Sequence, residues 1–256
     1  MRALLPTPAD DVDVHDVYAA DWLDRSALRV NFVSSVDGAV SVTGLSRGLQ
    51  TAGDNRIFAA LRDLADVVLV GAGTARAEGY AGIHLSLRRQ QIRHRYGFGP
   101  TLPTAIVSRS LRLDPGADLF TDTERGARTI VLTCTSSDPR VRAALAARAD
   151  VVDCGEDEVD LGIARAALVE RGLNRILCEG GPTLFANLLA ANSVDELCLS
   201  VTPLLVGPGS PRITAGMPSA SDPAGLRLVG LFTEEDALFC RYAVARSGLA
   251  PPFQEQ

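Results

Sequence analysis

Lysine is absent from this chain of 256 residues, and all 25 of its basic side chains belong to arginine. The absence excludes a lysine Schiff base and the phosphate-binding lysine of the Walker P-loop. The G-x-G-x-x-G fingerprint of many dinucleotide-binding domains is missing as well. Any nucleotide site in this chain therefore has to be built from other turns.

Cysteine is scarce and scattered. The five cysteines, at positions 134, 154, 178, 198 and 240, are odd in number and form neither a C-x-x-C pair nor a Cys/His cluster. This spacing predicts no zinc or other metal site and no disulfide framework. We interpret the cysteines as buried thiols of a protein in a reducing compartment.

The chain also lacks the features of membrane and nucleic-acid proteins. No run of 18 apolar residues occurs, and the first residues lack the long apolar core of a signal peptide. The net charge is −6, which argues against binding through contacts to nucleic-acid phosphates. We therefore expect a cytoplasmic protein that has no membrane or nucleic-acid partner.

What the chain does contain is the pattern of an α/β domain. Short apolar runs alternate with helical patterns up to about residue 191, and β-type segments dominate after that point. The pattern predicts one doubly wound domain, whose mainly parallel sheet has an antiparallel edge made by strands at 226–232 and 237–244. We expect this domain to span residues 28–246, between an acidic N-terminal arm (1–27) and a C-terminal tail (247–256).

One stretch near residue 180 predicts a ligand site. A strand at 176–178 leads into Gly180 and Gly181, and Pro182 then begins an apolar helix. The free backbone N–H groups at such a helix start, together with the positive end of the helix dipole, suit a phosphate. We expect a dinucleotide pyrophosphate here, although an ordinary strand-to-helix turn would have the same pattern.

Two further turns have a similar character. The turn from Ser34 to Gly38 follows a strand at 28–35, and the turn from Gly71 to Thr74 follows a strand at 66–70. Ligands of doubly wound folds bind at the carboxyl ends of parallel strands, where all three turns can lie. Together the turns predict a nicotinamide nucleotide site.

Two segments that contain arginine can each be interpreted in two ways. Arg109 follows a strand at 104–108 between Ser108 and Ser110, where it can hold the 2′-phosphate that distinguishes NADP from NAD. An ordinary surface loop explains the same pattern equally well. The basic segment 88–96 is interpreted as a solvated surface helix in preference to a phosphate-binding element.

Four motifs follow one another along the chain: Ser34-Ser35-Val36-Asp37-Gly38, Val70-Gly71-Ala72-Gly73-Thr74, Cys178-Glu179-Gly180-Gly181-Pro182-Thr183-Leu184, and Val194-Asp195-Glu196-Leu197 followed by Thr202-Pro203-Leu204-Leu205-Val206-Gly207. In this order they resemble the riboflavin-pathway pyrimidine reductases, the reductase half of the bifunctional deaminase–reductase. The resemblance covers about residues 28–244. It implies a dihydrofolate-reductase-like three-layer α/β/α fold, NADPH as hydride donor and a homodimer.

The resemblance also implies roles for particular residues. Thr74, Glu78, Ser108 and the helix start should contact the cofactor, with Ser34 near the nicotinamide through its backbone. With the turns above, the predicted cofactor-binding set is Ser34, Gly71, Gly73, Thr74, Glu78, Ser108, Arg109, Gly180, Gly181, Pro182, Thr183, Leu184 and Phe185. On the substrate side the resemblance implies Ser46, Arg62 and Glu179; an ordinary surface-helix arginine and a buried strand-end carboxylate are the structural alternatives for the last two. No catalytic residue is assigned, because the cofactor carries the hydride and the protein mainly positions it.

The chain departs from the family pattern in three places. It lacks both H-x-E and P-C-x-x-C, which excludes zinc-dependent deamination. Gly48 stands where the family often has tryptophan. The family segment Asp-Pro-x-Leu-Thr-x-Arg, whose arginine helps to hold the substrate phosphate, is replaced by residues 78–82, and Arg88 or Arg89 is the candidate substitute.

Three functions are consistent with these observations. The first is NADPH-dependent reduction of the pyrimidine phosphate 5-amino-6-(5-phosphoribosylamino)uracil in riboflavin biosynthesis. The second is reduction of another heterocycle such as dihydrofolate, for which Asp54, at the start of a helix that Thr51 can cap, is the candidate carboxylate for the pteridine ring. The third is a non-catalytic NADP(H)-binding protein, which would keep the turns at 71–74 and 180–183.

Overall fold

The structure is a computed structural model that describes residues 1–123, 127–216 and 223–245. The predicted C-terminal tail (247–256) lies outside the described residues. Ten strands form one sheet: β1 (Arg2–Leu5), β2 (Ala27–Ser35), β3 (Val67–Gly71), β4 (Thr104–Val107), β5 (Ile130–Thr133), β6 (Asp150–Asp153), β7 (Arg175–Cys178), β8 (Glu196–Thr202), β9 (Leu226–Glu234) and β10 (Ala237–Val244).

Helices connect most of the strands and cover both faces of the sheet. They are α1 (Val14–Ala19), α2 (Ala52–Asp63), α3 (Ala72–Ala77), α4 (Leu87–Arg95), α5 (Asp118–Thr121), α6 (Pro139–Ala146), α7 (Leu161–Val169) and α8 (Pro182–Ala190), and a 3-10 turn spans Ser46–Leu49. The result is a three-layer α/β/α architecture.

The sheet has the order β1-β9-β10-β8-β2-β7-β3-β4-β5-β6. The seven strands from β8 to β6 are parallel, whereas β10, β9 and β1 add antiparallel pairs at one edge. This arrangement confirms the predicted mainly parallel sheet with an antiparallel C-terminal edge.

The core explains why the central strands are continuous apolar runs. In β3, successive residues point to opposite faces, so Leu69 packs with Leu168 of α7 on one face and Val68 packs with Ile57 of α2 on the other. Both faces of a parallel sheet are covered by helices, which favours apolar residues along strands such as β3; β2 departs from this pattern with the buried polar side chains of Arg29 and Asn31. The carboxyl ends of these strands are therefore where polar residues can gather.

The N-terminal segment takes part in the sheet, which its composition did not predict. Residues 2–5 form β1 and pair with β9, while α1 packs beside α2. A buried ion cluster fixes the segment: Glu196 accepts hydrogen bonds from Arg29 at 3.0 Å and from Arg241 at 2.8 Å. Arg29 also donates to the carbonyl oxygen of Tyr18 at 3.1 Å, and its guanidinium lies 4.1 Å from the centre of the Trp22 ring.

The interpretation of segment 88–96 as a solvated surface helix is wrong for two of its arginines. The segment does form α4, but the Arg93 side chain is 1% exposed. The carbonyl oxygens at the end of α2 need hydrogen-bond donors, and the Arg93 guanidinium donates to them. It also donates to carbonyl oxygens in the loop after α4. Its acceptors are the carbonyl oxygens of Arg62, Asp63, Ala65, Gly99 and Thr101. Arg89 is half-buried and bonds Asp63 at 2.8 Å.

Candidate active site

Two glycine turns lie side by side at the carboxyl edge of the sheet. Strand β3 ends at Gly71, which caps the start of α3, and the adjacent strand β7 leads to Gly181, which caps the start of α8. The Gly71 N–H donates to the Gly180 carbonyl oxygen at 2.9 Å and joins the two turns directly. Two of the three turns predicted separately from the sequence are thus parts of one structure, whereas the turn from Ser34 to Gly38 bonds to the segment after β8 through Val36 and Asp37.

Close packing explains why this structure needs glycine. Gly180 has a φ of +94°, a conformation that residues with a side chain rarely adopt. A Cβ atom on Gly181 would lie 2.2 Å from Oγ1 of Thr74, on the neighbouring turn. The hydroxyl of Thr74 therefore occupies the space that a side chain at position 181 would fill.

Two cavities share the glycine turns as a wall. We call the first, of about 530 Å³, the Glu179 cavity, and the second, of about 670 Å³, the Arg109 cavity. Predicted residues that line the Glu179 cavity are Ser46, Asp54, Arg62, Thr74, Glu78, Glu179, Gly181 and Pro182. Predicted residues that line the Arg109 cavity are Gly71, Gly73, Ser108, Arg109, Thr183 and Leu184.

Three predicted cofactor residues line neither cavity. Ser34 is buried within β2, and Phe185 points into the core, where its ring centre lies 5.4 Å from that of Phe32. Gly180 sits above the Phe32 ring, and its carbonyl forms the bond to Gly71. Ser34 and Phe185 therefore belong to the buried interior, and Gly180 belongs to the joint between the two turns.

A carboxylate–guanidinium–phenol cluster forms one wall of the Glu179 cavity. Arg62 donates from Nε and Nη2 to the two oxygens of Glu179 at 2.6 and 2.7 Å, and the Tyr80 hydroxyl donates to Oε2 at 2.7 Å. The Glu179 side chain is only 2% exposed. Such bidentate pairs fix the geometry of both groups, so the polar atoms of this wall are held in fixed positions.

The cluster also sets the protonation states of Arg62 and Tyr80. Burial opposes the charge of Arg62, but the Glu179 carboxylate and Tyr80 outweigh it and raise the pKa of the guanidinium. Burial, with the nearby Glu179 charge, raises the pKa of Tyr80 well above its usual value. Tyr80 thus remains a hydroxyl donor at neutral pH. It lies in the segment that replaces the family's Asp-Pro motif, and no other feature of the sequence indicates its role.

The loop before α2 closes over the same cavity. The Ser46 backbone N–H donates to Oε1 of Glu78 at 3.0 Å, which ties the loop to the end of α3. A Cβ atom at Gly48 would lie 2.7 Å from Cβ of Val42. The local packing therefore excludes a larger side chain at position 48, which accounts for the departure from the family's tryptophan.

Two buried acceptors on residues that line the Glu179 cavity have no hydrogen-bond partner within the part of the chain that the structure describes. They are Oδ1 of Asn31, on β2, and Oδ1 of Asp54, in the first turn of α2. Asp54 is 4% exposed; burial raises the pKa of its carboxyl, and a hydrogen bond with Ser200 opposes that shift. A buried unpaired acceptor costs about 1–3 kcal/mol, so a rotation that brings either side chain to an N–H donor of a bound ring would be favourable. Asn31 was not predicted, although a polar residue inside an apolar strand is a detectable signal.

Both arginines that line the Glu179 cavity in the described part of the chain are bound to carboxylates. Arg62 pairs with Glu179, and Arg89 pairs with Asp63 and also donates to the Ala59 carbonyl oxygen at 3.1 Å. Of the two candidate substitutes for the family's phosphate-binding arginine, Arg89 lines the cavity and Arg88 does not.

The Arg109 cavity opens between the end of β4 and the start of α7. Arg109 Nη1 lies 2.7 Å from Oε1 of Glu158, and both side chains are exposed. Arg76 also lines this cavity and donates to the Arg112 carbonyl oxygen at 2.7 Å. Neither Arg76 nor Glu158 belongs to a sequence motif that predicts a site.

Within residues 1–123, 127–216 and 223–245, no group of three or more His, Cys, Asp and Glu side chains is arranged to hold a metal ion. In the same part of the chain no helix has the length and apolar character needed to span a membrane.

The parallel sheet, the joined glycine turns and the two cavities define an α/β domain built to bind ligands at its carboxyl edge. This chain belongs to the family of the RibD C-terminal domain, whose sequence model matches residues 26–236. The match confirms the resemblance that the four motifs carried.

Individual relatives agree with this assignment. The chain is 28% identical over 184 residues to an Archaeoglobus fulgidus protein named 2,5-diamino-6-ribosylamino-4(3H)-pyrimidinone 5′-phosphate reductase, covering 72% of this chain and 83% of the relative. A Methanothermobacter thermautotrophicus protein of the same name is 27% identical over 223 residues, covering 86% and 99%. The crystal structure of a pyrimidine reductase-like protein from Corynebacterium diphtheriae has the same fold, with a TM-score of 0.83, 24% identity and coverage of 92% and 100%.

Proposed function

We propose that this chain is an NADPH-dependent reductase of a ribosylaminopyrimidine 5′-phosphate in riboflavin biosynthesis. The observation that carries the proposal is the pair of cavities that share the glycine turns as a wall. A dinucleotide that lies across the turns can have its adenosine end in the Arg109 cavity and its nicotinamide at the Glu179 cavity. The relatives named as pyrimidinone phosphate reductases support the same reaction.

The residues present fit such a cofactor. The backbone at the starts of α3 and α8 suits the pyrophosphate, and Arg109 suits a 2′-phosphate. When bound, NADPH supplies the hydride that reduces the open-chain ribosylamino group to a ribitylamino group. The chain's own residues then hold the pyrimidine: Glu179, with Arg62 and Tyr80, forms a fixed polar wall.

The two unpaired acceptors bear on the choice of pyrimidine. Asn31 and Asp54 each present an oxygen that needs an N–H donor. The relatives' diaminopyrimidinone has adjacent donors, on its 2-amino group and the neighbouring ring nitrogen, whereas the uracil counterpart keeps its ring N–H donors but has a carbonyl acceptor between them. The acceptors therefore favour the diaminopyrimidinone phosphate over 5-amino-6-(5-phosphoribosylamino)uracil as the substrate.

A second candidate function is reduction of dihydrofolate. Asp54 lines the cavity, its buried Oδ1 has no partner among the described residues, and a carboxylate that turns into the cavity can hold the amino group and ring nitrogen of a pteridine. The carboxylate partners of Arg62 and Arg89 also reduce the attraction of this cavity for a phosphate. Asp54 can therefore bind either heterocycle. Turnover of the two substrates has to be compared to decide between the two functions.

The test follows NADPH oxidation with the diaminopyrimidinone phosphate, the uracil phosphate and dihydrofolate in separate reactions. We expect turnover of the diaminopyrimidinone phosphate, and a fall in its kcat/KM of about 30-fold in Asp54→Asn, since a charged hydrogen bond contributes about 2 kcal/mol. The exposed Asp24→Asn variant is the matched control and should match the wild type. Turnover of dihydrofolate alone would replace the first candidate with the second, and NADPH binding without turnover would leave a nucleotide-binding protein.

We further propose that the enzyme works in the cytoplasm as a homodimer, as the family resemblance implies. Exposed leucines at 204, 205, 226 and 228 supply apolar surface for such an interface. Sedimentation equilibrium should give about twice the chain mass of 27.0 kDa. A monomer at micromolar concentration would contradict the dimer.

A further inference from the structure

The Arg109 cavity contains two side chains of opposite charge that face each other across its opening. Arg109 follows β4, and Glu158 lies in the loop between β6 and α7; their charged atoms are 2.7 Å apart. We infer that Glu158 helps to determine which nicotinamide nucleotide this cavity takes, because it competes with a nucleotide 2′-phosphate for Arg109. The inference rests on the proposed function.

The loop that carries Glu158 is tightly folded. The Asp160 N–H donates to the Cys154 carbonyl oxygen at 2.6 Å and closes the loop on itself. Gly155 has a φ of +137°, and a Cβ atom there would lie 2.2 Å from the Glu158 carbonyl oxygen. The Ser136 N–H, from the loop after β5, holds the Glu156 carbonyl oxygen at 2.9 Å. The backbone at Glu158 is therefore fixed at the mouth of the cavity.

The two side chains have opposite preferences for the adenosine ribose. A carboxylate accepts a hydrogen bond from the free 2′-hydroxyl of NADH and repels the 2′-phosphate of NADPH, whereas an arginine attracts that phosphate. Among the residues that the structure describes, two other charged groups line this opening, and both have partners: Arg76 donates to a backbone carbonyl, and Asp160 caps α7 by accepting the Ile163 N–H at 2.9 Å. Arg109 and Glu158 are thus the pair that a 2′-phosphate would rearrange.

The Arg109–Glu158 ion pair is weak enough for a nucleotide 2′-phosphate to break it. Exposed ion pairs contribute only about 0–1 kcal/mol, so a doubly charged phosphate can displace Glu158 from Arg109. After displacement the carboxylate stays near the phosphate and still weakens NADPH binding. Removing its charge should therefore tighten NADPH and weaken NADH, and removing Arg109 should do the reverse.

The experiment measures the Kd of NADPH and of NADH by fluorescence titration for the wild type, Glu158→Gln, Arg109→Ala and the double variant. For Glu158→Gln we expect NADPH to bind about fivefold more tightly and NADH about twofold more weakly, a roughly tenfold rise in preference. Arg109→Ala should lower the preference for NADPH. In the double variant the NADPH gain from Glu158→Gln should shrink, since there is no longer an arginine to release.

Glu156→Gln is the matched control, because Glu156 is exposed on the same loop and its substitution removes the same charge. An unchanged NADPH/NADH ratio in Glu158→Gln overturns the inference, as does an equal change in Glu156→Gln, which would indicate a general charge effect. Both results leave the proposed function intact. Failure of the wild type to bind either nucleotide overturns the proposed function and the inference together.

Discussion

Replacement of Glu196 by glutamine is expected to lower the melting temperature by roughly 10 °C. Glu196 is 2% exposed and accepts hydrogen bonds from Arg29 and Arg241, which are buried with it. Glutamine leaves two buried guanidinium groups without a counter-charge, and breaking a buried ion pair from one side costs about 3–5 kcal/mol. At this chain length each kcal/mol corresponds to about 2–4 °C. Thermal unfolding followed by circular dichroism measures the change.

The same cluster predicts an acid response. Burial alone would raise the pKa of Glu196, but Arg29 and Arg241 outweigh it and lower the pKa to about 2 from the usual 4.5. Because the folded-state pKa is lowered, Glu196 makes its full contribution to the free energy of unfolding above pH 4.5. This contribution is lost as the pH falls toward 2. The wild type should therefore lose stability over that range more steeply than Glu196→Gln.

The control for this prediction is Glu170→Gln, since Glu170 is an exposed residue at the end of α7. Its melting temperature should stay within about 2 °C of the wild type, because exposed substitutions usually change stability by less than about 0.5 kcal/mol. A Glu196→Gln protein that melts like the wild type would show that the buried cluster does not hold the N-terminal segment on the sheet.

Glu179→Gln is expected to reduce kcat/KM for the pyrimidine phosphate by about 100-fold and to leave the Kd of NADPH within about threefold. Glutamine has one acceptor oxygen where Arg62 and Tyr80 now bind two. Its amide donors would face the donors of Arg62, so the wall of the Glu179 cavity would rearrange. The loss of a buried, bidentate charged pair is large enough for this effect. Steady-state kinetics and NADPH titration on the same preparation separate the two quantities.

Tyr80→Phe provides a graded comparison. It removes one hydrogen bond to Glu179 and keeps the Arg62 pair, so the fall in kcat/KM should be about tenfold. If Glu179→Gln loses NADPH binding or its fold along with activity, Glu179 is a structural carboxylate and its assignment to the substrate is wrong. If Tyr80→Phe matches the wild type, Tyr80 does not position Glu179.

The parts of the fold that the sequence predicted are those set by local pattern. The apolar run of β3 fits a buried strand, and the Gly-Gly-Pro sequence after β7 fits a turn that begins a helix. Thr51 caps α2 as predicted, accepting the Asp54 N–H at 3.1 Å. Since α/β topology then brings the ends of β3 and β7 to one edge, the sequence also located the glycine turns correctly.

The parts that were missed depend on partners far away in the chain. Arg93 looks like a surface residue because three of its five acceptors lie about 30 residues earlier, at the end of α2, where the local pattern does not reveal them. Tyr80 pairs with a carboxylate 99 residues later. Glu158 meets Arg109 only because two loops on separate strands converge. Spacing in the sequence carries no information about such side-chain pairs.

The pairing of β1 with β9 has a consequence for how the chain reaches this fold. Arg2 lies opposite Thr233, so the ladder between β1 and β9 joins segments about 230 residues apart in the chain. During translation, β1 must wait until β9 has left the ribosome, and contacts of such long sequence separation form slowly. A growing or truncated chain that lacks β9 and β10 would expose the unpaired backbone of β8, a template for aggregation.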